Sequence, residues 1–311
     1  IIVFTVTYGV ISGSGVGIVY GVPMTVVAKW FPEKKGLAVG IVLVGFGLSP
    51  LLTAPLAKYI VAAAGVMNTF LILGLCFGIM LSLLSFTLKY PSLNTAGVGT
   101  VVQGGDNLKA FDASNMVKSK AFWGLYLNFA IGTMIGLMLI GLTGSVASGL
   151  FNIPIESVSL YMSMFAIFNG MGRPFFGWLT DTMSAKKAML ISYGLIMSAA
   201  GSLLFFDKSI VLIYVIAFSI FWFNLGGWLA IAPATTLAMF GTKQYSKNYG
   251  VVFTGYGIGA VLGVISSGAI IDILNNYNYL FVYVIALCVV GVLITLTLFQ
   301  AGKNCMRQNE L

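Results

Sequence analysis

Residues 279–300 read YLFVYVIALCVVGVLITLTLFQ, an apolar run whose length decides the fold class. A helix needs about 20 such residues to cross the roughly 30 Å hydrocarbon core of a bilayer. Lipid cannot hydrogen-bond to exposed backbone groups, so a run of this kind forms either a helix or a strand of a closed barrel. A barrel strand would alternate apolar and polar residues over about ten positions, whereas this run is apolar throughout. We therefore predict a membrane-spanning α-helix here.

Similar apolar runs recur along the 311 residues, separated by polar or charged breaks. They predict an all-α polytopic membrane protein with nine spanning segments, whose ends are uncertain by a few residues. The segment at 210–238 contains Gly226, Gly227 and Pro233 and is predicted to be one tilted, broken helix. The nine segments are 3–28, 36–62, 67–88, 120–147, 157–180, 187–206, 210–238, 248–271 and 279–300.

The overall composition excludes several classes of protein. Hydrophobic residues make up 59% of the chain and charged residues 8%, against roughly 45–50% and about 25% in soluble domains. The net charge of +8 does not indicate a nucleic-acid partner, because the basic residues are scattered between apolar runs. The chain has no histidine, which excludes imidazole metal sites and His-based triads. Cys76, Cys288 and Cys305 lack metal-ligand spacing, so we expect packing roles or free thiols, and neither a metal nor a cofactor.

The positions of the basic residues predict the orientation of the chain. If the C-terminus is cytoplasmic and each segment crosses once, only Lys58 and Lys208 fall outside, as the positive-inside rule predicts for a plasma (inner) membrane protein. The basic residues placed inside are Lys29, Lys34, Lys35, Lys89, Lys109, Lys118, Lys120, Lys186, Lys187, Lys243, Lys247, Lys303 and Arg307.

The spacing of the segments predicts the domain organisation. The largest polar stretch, 90–119, is rich in glycine and charge and suits a flexible cytoplasmic linker. Three segments precede it and six follow, and the chain opens at Ile1 already inside an apolar run. A transporter built of two six-helix halves, each made of inverted three-helix repeats, gives this pattern if its first three helices are missing. We therefore expect helices 4–12 of twelve, with 1–89 as the second half of the N-terminal bundle and 120–311 as the C-terminal six-helix bundle.

Arg173 is the strongest candidate for a ligand-binding residue. It lies in an apolar segment, and a guanidinium keeps its charge in a protein. Holding a charge at depth costs about 2.5–3.5 kcal/mol on insertion scales, so the side chain should face a cavity or an anionic partner. We favour a substrate carboxylate, which Arg can bind through two parallel hydrogen bonds; snorkelling or pairing within the protein is the alternative. Asn169, one turn earlier on the same face, can donate to the same ligand.

Three aromatic residues complete the predicted substrate-binding set. Tyr20 lies near the middle of the first segment, where its hydroxyl needs a partner; structural packing is an equal alternative to lining a cavity. Phe253 and Tyr256 share one face of the eighth segment. Core packing can explain Phe253, whereas Tyr256 again needs a partner for its hydroxyl. Glycines four residues apart predict close helix packing at Gly13, Gly17, Gly259 and Gly263.

A predicted gate motif follows Arg173. Gly177 and Asp181 lie at the end of the fifth segment, and Lys186 and Lys187 follow in a short turn. An acid and lysines in this arrangement can form charge pairs that exist in only one arrangement of the bundle, which would make a gate latch. A solvated turn that obeys the positive-inside rule is the alternative.

Two of these motifs are similar to those of a known family. The first is Gly13-x-Gly15-x-Gly17-x-x-Tyr20 with Lys29-Trp30-Phe31-Pro32-x-Lys34-Lys35-Gly36-Leu37-Ala38-x-Gly40, and the second is Gly177-x-x-x-Asp181 with Lys186-Lys187. With Asn248-Tyr249-Gly250, they resemble the major facilitator superfamily, and within it the oxalate/formate antiporter and monocarboxylate-carrier branch. The resemblance covers essentially the whole chain.

The resemblance implies a rocker-switch carrier with its substrate site between two halves near mid-membrane. It implies that Arg173 binds the substrate carboxylate and that Tyr20 helps line the cavity. Monocarboxylate carriers have an Asp at the position of Asn169, and oxalate carriers have a Lys at the position that we align with Tyr256. With one binding cation rather than two, charge balance favours a monoanion over oxalate.

We predict a secondary active transporter, not an enzyme, that moves a small organic carboxylate by alternating access. Formate, lactate or pyruvate is favoured over oxalate, and both antiport and symport with a coupling proton stay open. One alternative is a facilitator-type carrier for a neutral or cationic solute, in which Arg173 is structural; another is a non-transporting membrane sensor. The expected partners are the substrate anion and the lipid bilayer. We expect no nucleic-acid partner, and we expect the protein to be monomeric.

Overall fold

The computed structural model describes residue 3 and residues 5–91, 113–242 and 244–299. Within these ranges every regular element is helical. The elements are a π-helical stretch (Thr5–Ser12), α1 (Gly13–Trp30), α2 (Lys35–Ser85), α3 (Ala113–Val117), α4 (Lys120–Gly141), α5 (Thr143–Phe151), α6 (Ile155–Met183), α7 (Ala185–Phe205), α8 (Val211–Phe240), α9 (Tyr245–Leu274) and α10 (Tyr277–Thr297). Linker positions 92–112 lie outside the described residues, as do Ile1, Lys243, Lys303, Cys305 and Arg307.

The predicted spans coincide with long helices, so the all-α polytopic fold is confirmed. Among the described residues, 8 stretches are long and apolar enough to cross a membrane. Helix α6 also has the length to cross, with 29 residues, although it is not one of those 8.

Helix α2 contains the second and third predicted segments as two limbs, 35–64 and 66–85. The bend between them is at Gly65, whose φ of 79° and ψ of 167° are not helical. This backbone conformation is accessible to glycine and costly for residues with a Cβ atom. The bend thus falls between the two predicted segments, 36–62 and 67–88.

Two details of the predicted segments are wrong. The segment 120–147 is not one helix, because α4 ends at Gly141 and α5 begins after a non-helical Leu142 with φ −93° and ψ 2°. The segment 210–238 is a single helix, as predicted, but α8 is continuous through its two glycines and its proline. The reason is that these glycines serve packing: a Cβ at Gly226 would strike the backbone of Asn169 in α6.

One end of the helical bundle carries most of the described lysines, and we call it the basic end. Helices α4 and α9 run parallel from this end, since Tyr126 Oη and Thr254 Oγ1 are 2.9 Å apart and Gly259 packs on Ala130 one turn further along. Lys208 lies at the opposite end, where its Nζ donates to Asn278 Oδ1 at 2.7 Å. The lysines of the basic end are Lys29, Lys34, Lys35, Lys89, Lys118, Lys120, Lys186, Lys187 and Lys247.

The first limb of α2 crosses α6 in direct backbone contact. A Cβ at Gly40 would lie 2.5 Å from the Arg173 carbonyl oxygen and 2.8 Å from Pro174 Cα. Gly36 and Gly177 face each other in the same way, each with the other's carbonyl oxygen where a Cβ would be. Only residues without a side chain allow two helices this close. The crossing therefore joins the part of the chain before residue 90 to the part after residue 120.

We expect Gly40→Ala to lower the apparent melting temperature of the full-length protein in detergent. The new methyl group must displace the α6 backbone, and overpacking of this kind costs about 1–3 kcal/mol. Gly194→Ala is the matched control, because Gly194 is an exposed helical glycine with nothing within 4 Å of its Cβ position. Equal melting temperatures for the two variants would contradict the close crossing.

Candidate functional site

A cavity of about 410 Å³ lies between α2, α6 and α8 and reaches α4 and α9. Most of the residues around it are apolar. Its polar or charged side chains are Ser163, Asn169, Arg173 and Tyr256, and its other lining residues are Phe46, Gly47, Leu51, Ile140, Met162, Ala166, Trp222, Leu225 and Leu229. A cavity with largely apolar walls and a few convergent polar groups is the usual form of a small-molecule site.

The position of Arg173 along α6 indicates a depth near the membrane centre if Met183 lies at the membrane surface. It precedes Met183, the last residue of α6, by ten positions, which corresponds to roughly 15 Å along the helix axis. This is about half of the roughly 30 Å hydrocarbon thickness. The side chain is only 2% exposed, so it does not snorkel to the membrane surface.

The guanidinium of Arg173 is bonded to neutral groups. Its Nη1 donates to the Leu43 carbonyl oxygen at 2.8 Å, and its Nη2 donates to Asn169 Oδ1 at 3.3 Å. The Phe46 ring centroid lies 5.2 Å from Cζ, within cation–π range. Buried Nε has no hydrogen-bond partner in the described part of the chain. The positive charge at the cavity is thus oriented by the protein but not neutralised by these contacts.

Asn169 orients the arginine. Its Nδ2 donates to the Trp222 carbonyl oxygen at 3.1 Å, which turns Oδ1 toward Arg173. An aspartate here would give Arg173 a permanent anionic partner, whereas the asparagine amide leaves the charge available. Gly47 keeps the approach open, because a Cβ there would lie 3.0 Å from Arg173 Nε.

An aromatic layer lies beside the cavity and joins α1 to α9. The Tyr20 ring centroid is 5.7 Å from that of Phe46 and 5.3 Å from that of Phe253. Phe253 and Tyr256 stack at 5.1 Å with their rings almost parallel. Of the predicted substrate-binding residues, Arg173, Asn169 and Tyr256 line the cavity, while Tyr20 and Phe253 lie in this adjoining layer. The Tyr20 hydroxyl is buried without a hydrogen-bond partner among the described residues.

Asp181 joins α6 to the start of α2 at the basic end. Its Oδ1 accepts from the backbone N–H of Gly36 and its Oδ2 from that of Leu37, each at 2.8 Å. Gly36 and Leu37 are the second and third residues of α2, in the first turn, where the helix dipole favours a negative charge. Gly177 lies one turn before Asp181, where it faces Gly36 and lets the two helices meet.

The gate lysines lie beyond this contact. Lys186 and Lys187 lie in the first turn of α7, which begins at Ala185 after Ser184, whose φ is 109°. The acceptor contacts of Asp181 are made with the backbone of α2, while Ser184 caps α7 by accepting from the backbone N–H of Lys187 at 3.5 Å. Asp181, the acid of the predicted latch, therefore bonds to the backbone of α2, whereas its position in the sequence suggests Lys186 or Lys187 as the partner.

A second contact closes the basic end between α1 and α9. The Tyr245 hydroxyl donates to Met24 Sδ at 3.7 Å, and a Cβ at Gly21 would lie 3.8 Å from Ser246 Oγ. Tyr245 also stacks on Tyr249 at 5.4 Å. Like the Asp181 contacts, these contacts lie near the basic end and join helices from the two parts of the chain.

The four predicted packing glycines have different surroundings. A Cβ at Gly259 would lie 2.5 Å from the Ala130 carbonyl oxygen, and one at Gly263 would lie 2.8 Å from that of Met134, so both pack on α4. Gly13 and Gly17 have no described atom within 4 Å of their Cβ positions.

Sequence reasoning did not find the cavity residues of α2. Leu43 contributes a backbone carbonyl oxygen, Phe46 contributes its ring, and Gly47 leaves space beside Arg173. None of the three has a polar side chain that would single it out in the sequence. The available signal was the helical spacing of Gly36, Gly40 and Gly47. No cluster of His, Cys, Asp or Glu that could hold a metal ion occurs in the described ranges.

Comparison with known proteins identifies similar chains. The Major Facilitator Superfamily model matches residues 2–239 and 129–307. The oxalate:formate antiporter of Oxalobacter formigenes is 30% identical over 268 residues, which are 81% of this chain and 59% of that protein. Monocarboxylate transporter 12 of Xenopus laevis is 24% identical over 300 residues, 88% of this chain and 64% of that protein.

A shorter match has a higher sequence identity. Apicoplast pyruvate carrier 1 of Toxoplasma gondii is 45% identical over 53 residues, which are 17% of this chain and 10% of that protein. The chain spans about three fifths of the length of the curated relatives that it matches broadly.

Proposed function

Because the chain belongs to the major facilitator superfamily, we propose that it is part of a secondary transporter that moves a small organic carboxylate. Its family and its apolar helices make it an integral membrane protein. Members of the superfamily are transporters rather than enzymes. The substrate class rests on the cavity and on the relatives.

The observation that carries the proposal is the state of Arg173. A permanently charged group lies at mid-membrane, lines a cavity, makes its hydrogen bonds with neutral groups and keeps a buried Nε without a described partner. An uncompensated buried charge is costly, and an anion in the cavity relieves that cost. A carboxylate suits the guanidinium because it can accept two hydrogen bonds in one plane.

The cavity favours a monoanion. Among its lining residues Arg173 is the one basic side chain, and none is acidic. A dianion such as oxalate would bring a second negative charge to a place with a single matching cation. The names of the relatives include oxalate and formate, monocarboxylate and pyruvate. We propose formate, lactate or pyruvate ahead of oxalate.

The proposed mechanism is alternating access between two bodies, 1–89 and 120–311, joined by the linker 90–119. The contacts of Asp181 with α2 and of Tyr245 with Met24 correspond to a state closed at the basic end. Breaking them would open the cavity toward that end. We propose that the Tyr20 hydroxyl, which is buried and without a described partner, helps bind the anion when the two bodies move.

The residues that line the cavity also indicate whether anion transport is coupled to protons. Among the described residues that line the cavity there is no carboxylate to carry a proton, and Asn169 stands next to Arg173 where an acid would couple most directly. We therefore propose anion exchange ahead of proton symport.

We propose that the basic end faces the cytoplasm of a plasma (inner) membrane, with the C-terminus on that side and the transporter acting as a monomer. The lysines concentrated at this end support the orientation.

A second candidate is a carrier for a neutral or cationic solute in which Arg173 is structural. The observation that favours it is that both terminal nitrogens of Arg173 already bond to the protein, through Leu43 and Asn169.

A counterflow panel distinguishes the two candidates. We expect full-length protein in liposomes to accumulate labelled lactate, pyruvate or formate against an unlabelled internal pool, oxalate less, and a labelled sugar not at all. Protein-free liposomes give the background. Accumulation of the sugar without any carboxylate would exclude the proposed function.

A further inference from the structure

A second cleft, of about 510 Å³, lies at the basic end between the last turn of α1, the first turn of α9 and Tyr90. It is separate from the central cavity, since the two share no lining residue. Its walls carry the side chains of Thr25, Lys29, Tyr90, Thr242, Gln244, Tyr245, Ser246 and Lys247. Two of these are lysines, none is an acid, and five carry a hydroxyl group.

The cleft spans two parts of the chain that are far apart in sequence. Lys29 comes from α1 and Lys247 from α9, so a ligand between them would connect residues before the linker with residues after it. Trp30 supports one wall, because its Nε1 donates to the Lys89 carbonyl oxygen at 2.9 Å and so holds the neighbouring Tyr90 close to α1. The Lys29 Nζ then lies 4.1 Å from the Tyr90 ring centroid.

Polar groups in the cleft match an anion. Gln244 stands at the N-cap of α9 but makes no side-chain capping hydrogen bond, so this helix begins without the usual side-chain acceptor. The Oε1 of Gln244 is buried without a described partner. Rotation of the amide exchanges its oxygen and nitrogen, which lets the side chain donate to an anion. Uncapped helix N-termini flanked by lysines are a common setting for phosphate groups.

We propose that this cleft binds a phosphate group, supplied by an anionic phospholipid headgroup or by soluble phosphate. Basic pockets between helices at the membrane surface suit lipid phosphates, and the cleft lies where spanning helices reach that surface. The bound phosphate bridges Lys29 and Lys247 and so stabilises the state in which α1 and α9 meet. The site goes beyond the transport site, because it does not involve Arg173 or the central cavity.

The test measures the apparent melting temperature of full-length protein in detergent, titrated with a short-chain phosphatidylglycerol, with phosphatidylcholine of the same chain length, or with inorganic phosphate. We expect phosphatidylglycerol or phosphate to stabilise the wild type in a saturable way. In Lys29→Gln/Lys247→Gln the half-saturating concentration should rise about tenfold or more, because each lysine near the surface contributes to binding. Lys118→Gln/Lys120→Gln, which removes two exposed lysines of the same end outside the cleft, should respond as the wild type does.

The arms distinguish the source of the phosphate. Stabilisation by phosphatidylglycerol alone identifies a lipid site, and equal saturation by inorganic phosphate identifies a soluble anion. If the double variant does not fold, chloride at matched ionic strength provides the second measurement on the wild type. The proposal is overturned if chloride reproduces the shift, if phosphatidylcholine does so equally, or if the double variant responds as the wild type does.

Discussion

If the proposed function is right, Arg173→Gln in the full-length protein is expected to abolish carboxylate uptake while leaving the amount of inserted protein unchanged. Removing one partner of a buried, hydrogen-bonded charge pair costs about 2–5 kcal/mol, which corresponds to a loss of affinity of about thirtyfold to a few thousandfold. Glutamine is less costly than arginine at mid-membrane, so insertion should not suffer. The measurement is initial uptake of labelled lactate or pyruvate, normalised to transporter in the membrane.

Arg173→Lys separates charge from geometry. Lysine keeps the positive charge but loses the planar arrangement that binds both oxygens of a carboxylate. We expect uptake to fall to background in this variant as well. Lys208→Gln is the matched control, because it removes one positive charge at the end opposite the basic end and outside the cavity. Uptake that persists unchanged in Arg173→Gln would remove Arg173 as the anchor.

Asp181→Asn is expected to weaken the closure of the basic end. The asparagine keeps the size of the side chain but loses the charge that the N-terminus of α2 stabilises, and it replaces one acceptor oxygen with a donor. Because Asp181 is exposed, we allow only about 0.3–1 kcal/mol for this loss, which is about a two- to fivefold shift toward the open arrangement.

Spin labels at Glu33 and Lys186, in a protein without native cysteines, report that shift as a longer distance between the turn before α2 and the start of α7. Glu156→Gln is the control, because it removes an acid from the first turn of the same helix, at the other end. A distance distribution that is the same in Asp181→Asn and in the control would show that the Asp181 contact does not hold the end closed.

The spans could be predicted from sequence because hydropathy and length act locally. A run such as 279–300 must be helical in lipid whatever its neighbours are. The bend between the limbs of α2 was also accessible, since Gly65 lies between two apolar runs. The interruption at Leu142 was harder to predict, because leucine is an ordinary helix former. Gly141 and Gly144 flank it, but glycines are frequent within membrane-spanning helices and do not by themselves mark a break.

The candidate side chains could be singled out from the sequence more easily than their hydrogen-bond partners could. Arg173 stands out because a guanidinium in an apolar helix is costly. Its partner, the carbonyl oxygen of Leu43, lies 130 residues earlier in the chain and is a backbone atom that every residue possesses. The same holds for Asp181: nearby lysines suggest an ion pair, while the backbone N–H groups of Gly36 and Leu37 are the partners.

The most direct test of carboxylate binding at Arg173 is equilibrium binding of a radiolabelled monocarboxylate to purified full-length protein, which involves no transport step. We predict saturable binding to the wild type, competed by unlabelled lactate or pyruvate, and at least a tenfold loss of affinity in Arg173→Gln. Equal affinity in the two proteins would contradict the assignment of Arg173 as the group that holds the carboxylate.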